Sequence, residues 1–266
     1  MRSPNIRVVF VCAVSIILSA LRTIIIANNM ENSAKDAYYL PKSLEVTAFS
    51  VISAIVVGIC IYLALVYGFK KTVKLDRSFS SVPAGSLVLA FSLIFAVATV
   101  INNLLQQEEK LISALELIVL VLALATAVKF LWSGIFYDRK VERASLHPIA
   151  ALLPIFLSIF RILSDFVRAS AAPTASSGVY HLLGLVAVLL YFLSEGASYV
   201  KKVDGILFYA LGYISVFLLS VYALPNLILH CFVFSFTPEA SFSVVDIGIA
   251  IYVASRISSA ELTEKA

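Results

Sequence analysis

Read for apolar and polar positions, the chain alternates between long apolar runs and short polar breaks. Eight runs stand out, over residues 8–27, 46–69, 85–105, 112–136, 149–170, 180–199, 206–231 and 242–256. A bilayer core of about 30 Å takes roughly 20 apolar residues of helix, so each run predicts a transmembrane helix. The run at 112–128 holds only Ser113, Glu116 and Thr126 as polar residues, and such continuity excludes the alternating polarity of a transmembrane β-strand. The run at 242–256 is short and the run at 206–231 carries Pro225 near its end. A seven-span chain with a re-entrant or interfacial last segment therefore stands as the alternative to eight spans.

Composition agrees with this pattern. Of 266 residues, 61% are apolar and 14% charged, against about 45–50% and about 25% in an ordinary soluble domain. Too few charges remain to form a water-facing shell, so the expected fold is an all-α integral membrane protein, a single bundle of about eight helices in antiparallel hairpins. No break exceeds about twenty residues and none is a low-complexity linker, so no separate soluble domain is expected. Met1–Ala27 has the basic start and apolar centre of a secretory signal but no clear small-x-small cleavage pattern before Asn28, and is read as a retained first span.

Charge fixes an expected orientation. Lys70, Lys71, Lys74 and Arg77 follow the second span, Arg139, Lys140 and Arg143 the fourth, and Lys201 and Lys202 the sixth, while the terminal segments add Arg2, Arg7, Arg256 and Lys265. The opposite breaks hold only Lys35, Lys42, Lys110 and Arg168. Basic residues are retained in the cytoplasm, so both termini are expected inside. The net charge of +4 then reflects topology and gives no reason to expect a nucleic-acid partner. The Lys70–Arg77 cluster is read as a topology anchor that also faces lipid headgroups.

The strongest local signal is the fifth span, where Pro154, Ser158, Arg161, Asp165 and Arg168 recur at helical spacing and form one polar stripe. An Arg at bilayer depth costs at least about 2.5–3.5 kcal/mol on insertion scales, so the stripe faces protein or water. Two readings follow. In one, Arg161 holds an anionic group and Asp165 sets its charge state; in the other, Arg161 and Asp165 at i,i+4 form a self-satisfied pair that fixes helix packing.

Other candidates sit at the outer ends of spans. A faint four-hairpin repeat places Glu45, Glu116, His181 and Asp246 near the start of each returning helix, with Arg22, Asn102 and Asn103, Arg161 and Asp165, and Tyr222 on the outgoing ones. Glu116 three residues after Ser113, and Asp246 three after Ser243, have capping-box spacing and favour a helix-start role over ion relay. Glu45 is expected to cap likewise or to pair with Arg22. Lys129 and Glu195 lie near cytoplasmic ends, where snorkelling accounts for them, and the lone His181 reads as an interfacial or packing residue, with a group that titrates near neutrality as the alternative.

Nothing in the sequence predicts a cofactor, a metal or catalysis. Cys12, Cys60 and Cys231 lack ligand spacing and read as packing residues. No H-E-x-x-H, P-loop, aspartate-rich magnesium motif or G-x-S-x-G occurs, and Ser176-Ser177 with His181 lies in an external turn too close in sequence to act as nucleophile and base. Tyr62, Tyr67, Tyr199 and Tyr252 read as an interfacial belt, and Gly58, Gly184, Gly212 and Gly248 as sites of close helix approach.

The segment Leu153-Pro154-Ile155-Phe156 through Phe160-Arg161-Ile162-Leu163-Ser164-Asp165-Phe166-Val167-Arg168, with Tyr180-His181-Leu182-Leu183 after the turn, resembles uncharacterised multi-pass membrane proteins of clostridia-like Gram-positive bacteria. The resemblance covers about a fifth of the chain. It implies a bacterial plasma membrane and carries no activity. The functional expectation is a small-molecule or ion transporter, or the membrane subunit of one, with the lipid bilayer, a small anionic ligand or ion and a protein subunit as candidate partners. The alternative is a non-catalytic scaffold, sensor or assembly partner.

Overall fold

The computed structural model describes residues 6–29, 44–69, 71–73, 82–106, 114–135, 148–171, 178–198, 203–232, 238–260 and 262–264. Eight long helices account for most of them: α1 (Ile6–Asn29), α2 (Leu44–Gly68), α3 (Pro83–Gln106), α4 (Ala114–Ile135), α5 (Leu153–Ala171), α6 (Gly178–Ser198), α7 (Gly205–Phe232) and α8 (Pro238–Ser259). All eight are long and apolar enough to cross a membrane. Eight such helices form, not seven: α8 is a full 22-residue helix and α7 runs unbroken through Pro225.

The core is hydrophobic, but the surface is apolar too: Arg22 and Arg161 are 3% and 4% exposed, while Ile24, Phe91 and Val121 are about 60% exposed. An extended surface of such side chains with arginines inside fits an apolar surrounding solvent.

The helices pack in a closed cycle: α3 on α4, α4 on α5, α5 on α6, α6 on α7, α7 on α8, and α8 back on α3. Helices α1 and α2 lie outside this cycle against α7, which explains why α7 is buried on nearly every side. Close approach is set by glycine at two crossings. A Cβ on Gly68 at the end of α2 would collide with the backbone of Gly205 and Ile206 at the start of α7, and one on Gly248 of α8 would collide with Ser92 of α3. Gly58, by contrast, faces open space.

Three short strands form an antiparallel sheet in the order β2-β1-β3. They are β1 (Lys71–Val73) after α2, β2 (Val203–Asp204) before α7 and β3 (Leu262–Glu264) after α8, with Thr72 opposite Asp204 and Val73 opposite Leu262. The second and sixth breaks and the C-terminal segment therefore meet at one end of the bundle, the set of segments that the basic residues group together. The sheet itself departs from the all-helical expectation, because its strands are too short to show a period of two in the sequence.

Pro225 has no N–H to give the carbonyl four residues earlier, that of Val221. Arg22 of α1 takes that place: its Nη1 donates to the Val221 carbonyl at 2.9 Å, and one turn earlier Ser19 Oγ donates to the Ser220 carbonyl at 3.0 Å. The guanidinium lies over the rings of Tyr180, 4.6 Å away, and Tyr222, 6.0 Å away. These contacts, and not Glu45, hold Arg22; Glu45 is exposed in the first turn of α2.

Candidate functional site: two buried ionic layers inside the helix cycle

The fifth-span stripe meets charges from two other helices. Arg161 Nη1 on α5 lies 2.7 Å from Oδ1 of Asp246 on α8. The other oxygen of Asp246, Oδ2, lies 2.9 Å from Nε2 of His181 on α6, and His181 Nδ1 lies 3.0 Å from Asp165 Oδ2 on α5. The expected pairing of Arg161 with Asp165 along one helix is thus replaced by pairing across helices. The reason is that Asp246 reaches Arg161 from the facing helix, leaving Asp165, one turn further out, to the imidazole.

Helix α8 begins at Pro238, so Asp246 lies two turns inside it and does not act as its cap. Ser243, the supposed capping partner, instead accepts from Asn226 Nδ2 of α7 at 2.6 Å. Glu116 does sit in the first turn of α4, where its charge complements the helix dipole, while Ser113 lies outside the described residues. Glu45 and Glu116 take no part in the ion pairs around Arg161. Ser158 is buried one turn before Arg161 and donates to the Pro154 carbonyl at 2.8 Å. The side chain of Arg168 lies outside the described residues.

The cluster is walled by aromatic rings. Tyr222 of α7 stacks on His181 at 4.2 Å with the planes 14° apart, and the Arg161 guanidinium lies 5.3 Å from the centre of the Phe242 ring. Arg161, His181 and Asp246 are buried, and Asp165 is the least covered of the four. His181 is therefore buried and partnered, not a lone residue. One carboxylate faces each of its nitrogens, so the oxygens diverge around the ring, and among the described residues no three His, Cys, Asp or Glu side chains group to hold a metal ion.

A second ionic layer lies toward the end that carries the sheet. Glu195 of α6 accepts from Tyr252 Oη at 2.6 Å and from Arg256 Nε at 3.0 Å, both on α8. Its side chain is 4% exposed, so Glu195 does not snorkel, and Tyr252 belongs to the interior and not to an interfacial belt. Snorkelling fails because Arg256 is close enough to neutralise the carboxylate where it stands. Lys129 of α4 is half-buried with its ammonium 4.1 Å from the centre of the Phe130 ring.

Beside this second layer an aromatic cluster joins α4, α6 and α8. Phe130 and Tyr252 meet edge to face at 4.8 Å, and Phe192 lies 6.1 Å from Tyr252. At about 1.5 Å per residue, Asp246 and Arg256 are roughly 15 Å apart along α8, and His181 and Glu195 roughly 21 Å apart along α6. The same two helices are thus tied by charge at two depths.

Sequence reasoning reached Arg161, Asp165, His181, Asp246 and Arg22, and named Tyr222 at their depth, but missed Glu195, Arg256 and Tyr252 as interior groups. The signal available was equivalence of depth: Glu195 and Arg256 each lie one turn before the end of their helices, at the same end of the bundle, with opposite charge. Of the four-hairpin repeat, the third and fourth hairpins converge and Arg22 of the first joins them through Tyr222. Asn103 of the second bonds back to its own helix, to the Thr99 carbonyl at 3.0 Å. No protein-family model, no curated protein and no solved structure matches this chain.

Proposed function

We propose that the protein is a small-molecule or ion transporter, or the membrane subunit of one, and that its path runs inside the six-helix cycle. The observation that carries this reading is the pair of buried ionic layers on α6 and α8 at two depths, the second with the Phe130, Phe192 and Tyr252 rings packed beside it. Two such layers at different depths on the same helix pair fit a path that is closed at one end while open at the other.

Charged side chains at membrane depth are costly, and retaining both signs inside the cycle while lipid-facing positions stay apolar fits a path for charged or polar solutes. The asymmetry of basic residues, with the sheet's gathering of the basic breaks, supports a cytoplasmic position for both termini and the sheet, and the fifth- and sixth-span resemblance implies a bacterial plasma membrane. A small anion or a carboxylate-bearing solute, the class of ligand a guanidinium takes, would have to displace Asp246 from Arg161.

The rival reading is a scaffold or assembly partner, which the mutual neutralisation of Arg161 and Asp246 favours. The two separate in proteoliposomes of the purified chain under imposed gradients of sodium, potassium, chloride and inorganic phosphate. Flux above empty vesicles that disappears in Arg161→Ala, with membrane insertion unchanged, supports transport. Flux equal to empty vesicles for every probe, together with stable co-purification of a second protein, supports the scaffold.

A further inference from the structure

We propose that His181 is a proton-exchange site, in which Nε2 gains and loses one proton and that proton decides whether α6 is tied to α8 at the outer layer. Charged groups face the ring at both nitrogens. Asp165 of α5 faces Nδ1 at 3.0 Å, Asp246 of α8 faces Nε2 at 2.9 Å, and the Arg161 guanidinium of α5 reaches the same Nε2 through Nη2 at 3.4 Å. Tyr222 of α7 covers one ring face, and Arg22 of α1 lies beyond it.

A neutral imidazole has one N–H and one lone pair, whereas the imidazolium has two N–H groups. With both nitrogens against carboxylates, only the imidazolium donates to both Asp165 and Asp246. The cluster then holds Arg161 and His181 against Asp165 and Asp246, two positive charges against two negative. Three helices are joined through it.

When Nε2 gives its proton to water, the ring keeps Nδ1–H on Asp165 and presents a lone pair at Nε2. Asp246 Oδ2 then faces that lone pair and is repelled, while Arg161 Nη2 is placed to donate to it. Asp246 stays on Arg161 through Oδ1, so the α5–α8 link persists and the α6–α8 link at this depth is lost. One carboxylate is left without its counter-charge in a buried site, which favours admission of water or of a cation. Proton loss and outer opening are therefore one event. As a coupling step this deepens the transport reading, but the ring chemistry is measurable without any transport assay.

The test is nitrogen NMR of histidine-labelled protein in lipid nanodiscs, with His181→Gln identifying its signals among those of His147, His181 and His230. Between about pH 5 and about pH 10, the account expects His181 to pass from a ring protonated at both nitrogens to a neutral ring with hydrogen on Nδ1. In Asp165→Ala, a change at the least buried member of the cluster, the neutral ring loses the acceptor for Nδ1–H and shifts toward the Nε2–H tautomer. A ring that keeps one protonation state across the range, a neutral wild-type ring with hydrogen on Nε2, or a tautomer unmoved in Asp165→Ala overturns the proposal. A titrating ring in a protein with no flux leaves the proton site standing and removes transport; flux with a non-titrating ring does the reverse.

Discussion

Arg22 donates to the backbone carbonyl of Val221 at 2.9 Å, and Val221 is the residue whose helical partner Pro225 removes. The charge on α1 thus repairs a gap in α7. Arg22→Ala is expected to destabilise the protein by about 1–3 kcal/mol, the cost of a buried acceptor left unpaired. Pro225→Ala supplies an N–H to the same carbonyl, so the double variant recovers part of that loss. Denaturant unfolding in detergent, run as a double-mutant cycle, checks it; simple additivity would show the two residues to be independent.

The Arg161–Asp246 pair gives a second cycle. Asp246→Asn leaves a buried guanidinium uncompensated and is expected to cost about 3–5 kcal/mol, and Arg161→Gln a similar amount. The double variant carries no stranded charge and is expected to be more stable than either single one. The same unfolding measurement decides between this order and a monotonic loss.

At the inner layer the order of effects is the prediction. Tyr252→Phe removes one hydrogen bond to a charged acceptor, about 1.5–3 kcal/mol, and leaves the Glu195–Arg256 pair in place. Glu195→Gln strands Arg256 and is expected to cost more. Thermal denaturation of the two variants side by side reverses this ranking if Glu195 in fact reaches the membrane surface.

Glycine positions separate packing from tolerance. Gly68→Ala drives a methyl group into the backbone of α7 and is expected to cost about 1–3 kcal/mol, whereas Gly58→Ala meets nothing within 4 Å and is expected to be silent. Equal stability of the two variants would contradict the α2–α7 crossing described above.

The spans were legible because a helix in lipid needs a continuous apolar run, and the runs centred on α3, α4 and α7 need no partner to be recognised. Their ends were less so: α8 begins at Pro238, before the apolar run at 242, because its first turn mixes polar and small residues. Arg161 and Asp165 stood out through i,i+4 spacing on one helix. Their true partners did not, since His181 and Asp246 come from α6 and α8 and periodicity within a helix says nothing of what faces it. Asp246 was misread as a cap for the same reason that Glu195 was misread as snorkelling: each rule considers one helix end alone, and each residue is in fact held by an opposite charge from another helix.

The most direct test of the account is water access to the interior of the cycle at Ser158, which lies one turn from Arg161. In a background without Cys12, Cys60 and Cys231, a single cysteine at Ser158 is treated in intact membranes with a charged, impermeant thiol reagent, with Phe156 and Leu163 on the exposed face of α5 as controls. The account predicts labelling at Ser158 that quickens when Asp246→Asn or Glu195→Gln opens a layer, and none at the two controls. A Ser158 cysteine that stays unlabelled in all three backgrounds would contradict it, leaving a dry bundle whose ionic layers serve packing alone.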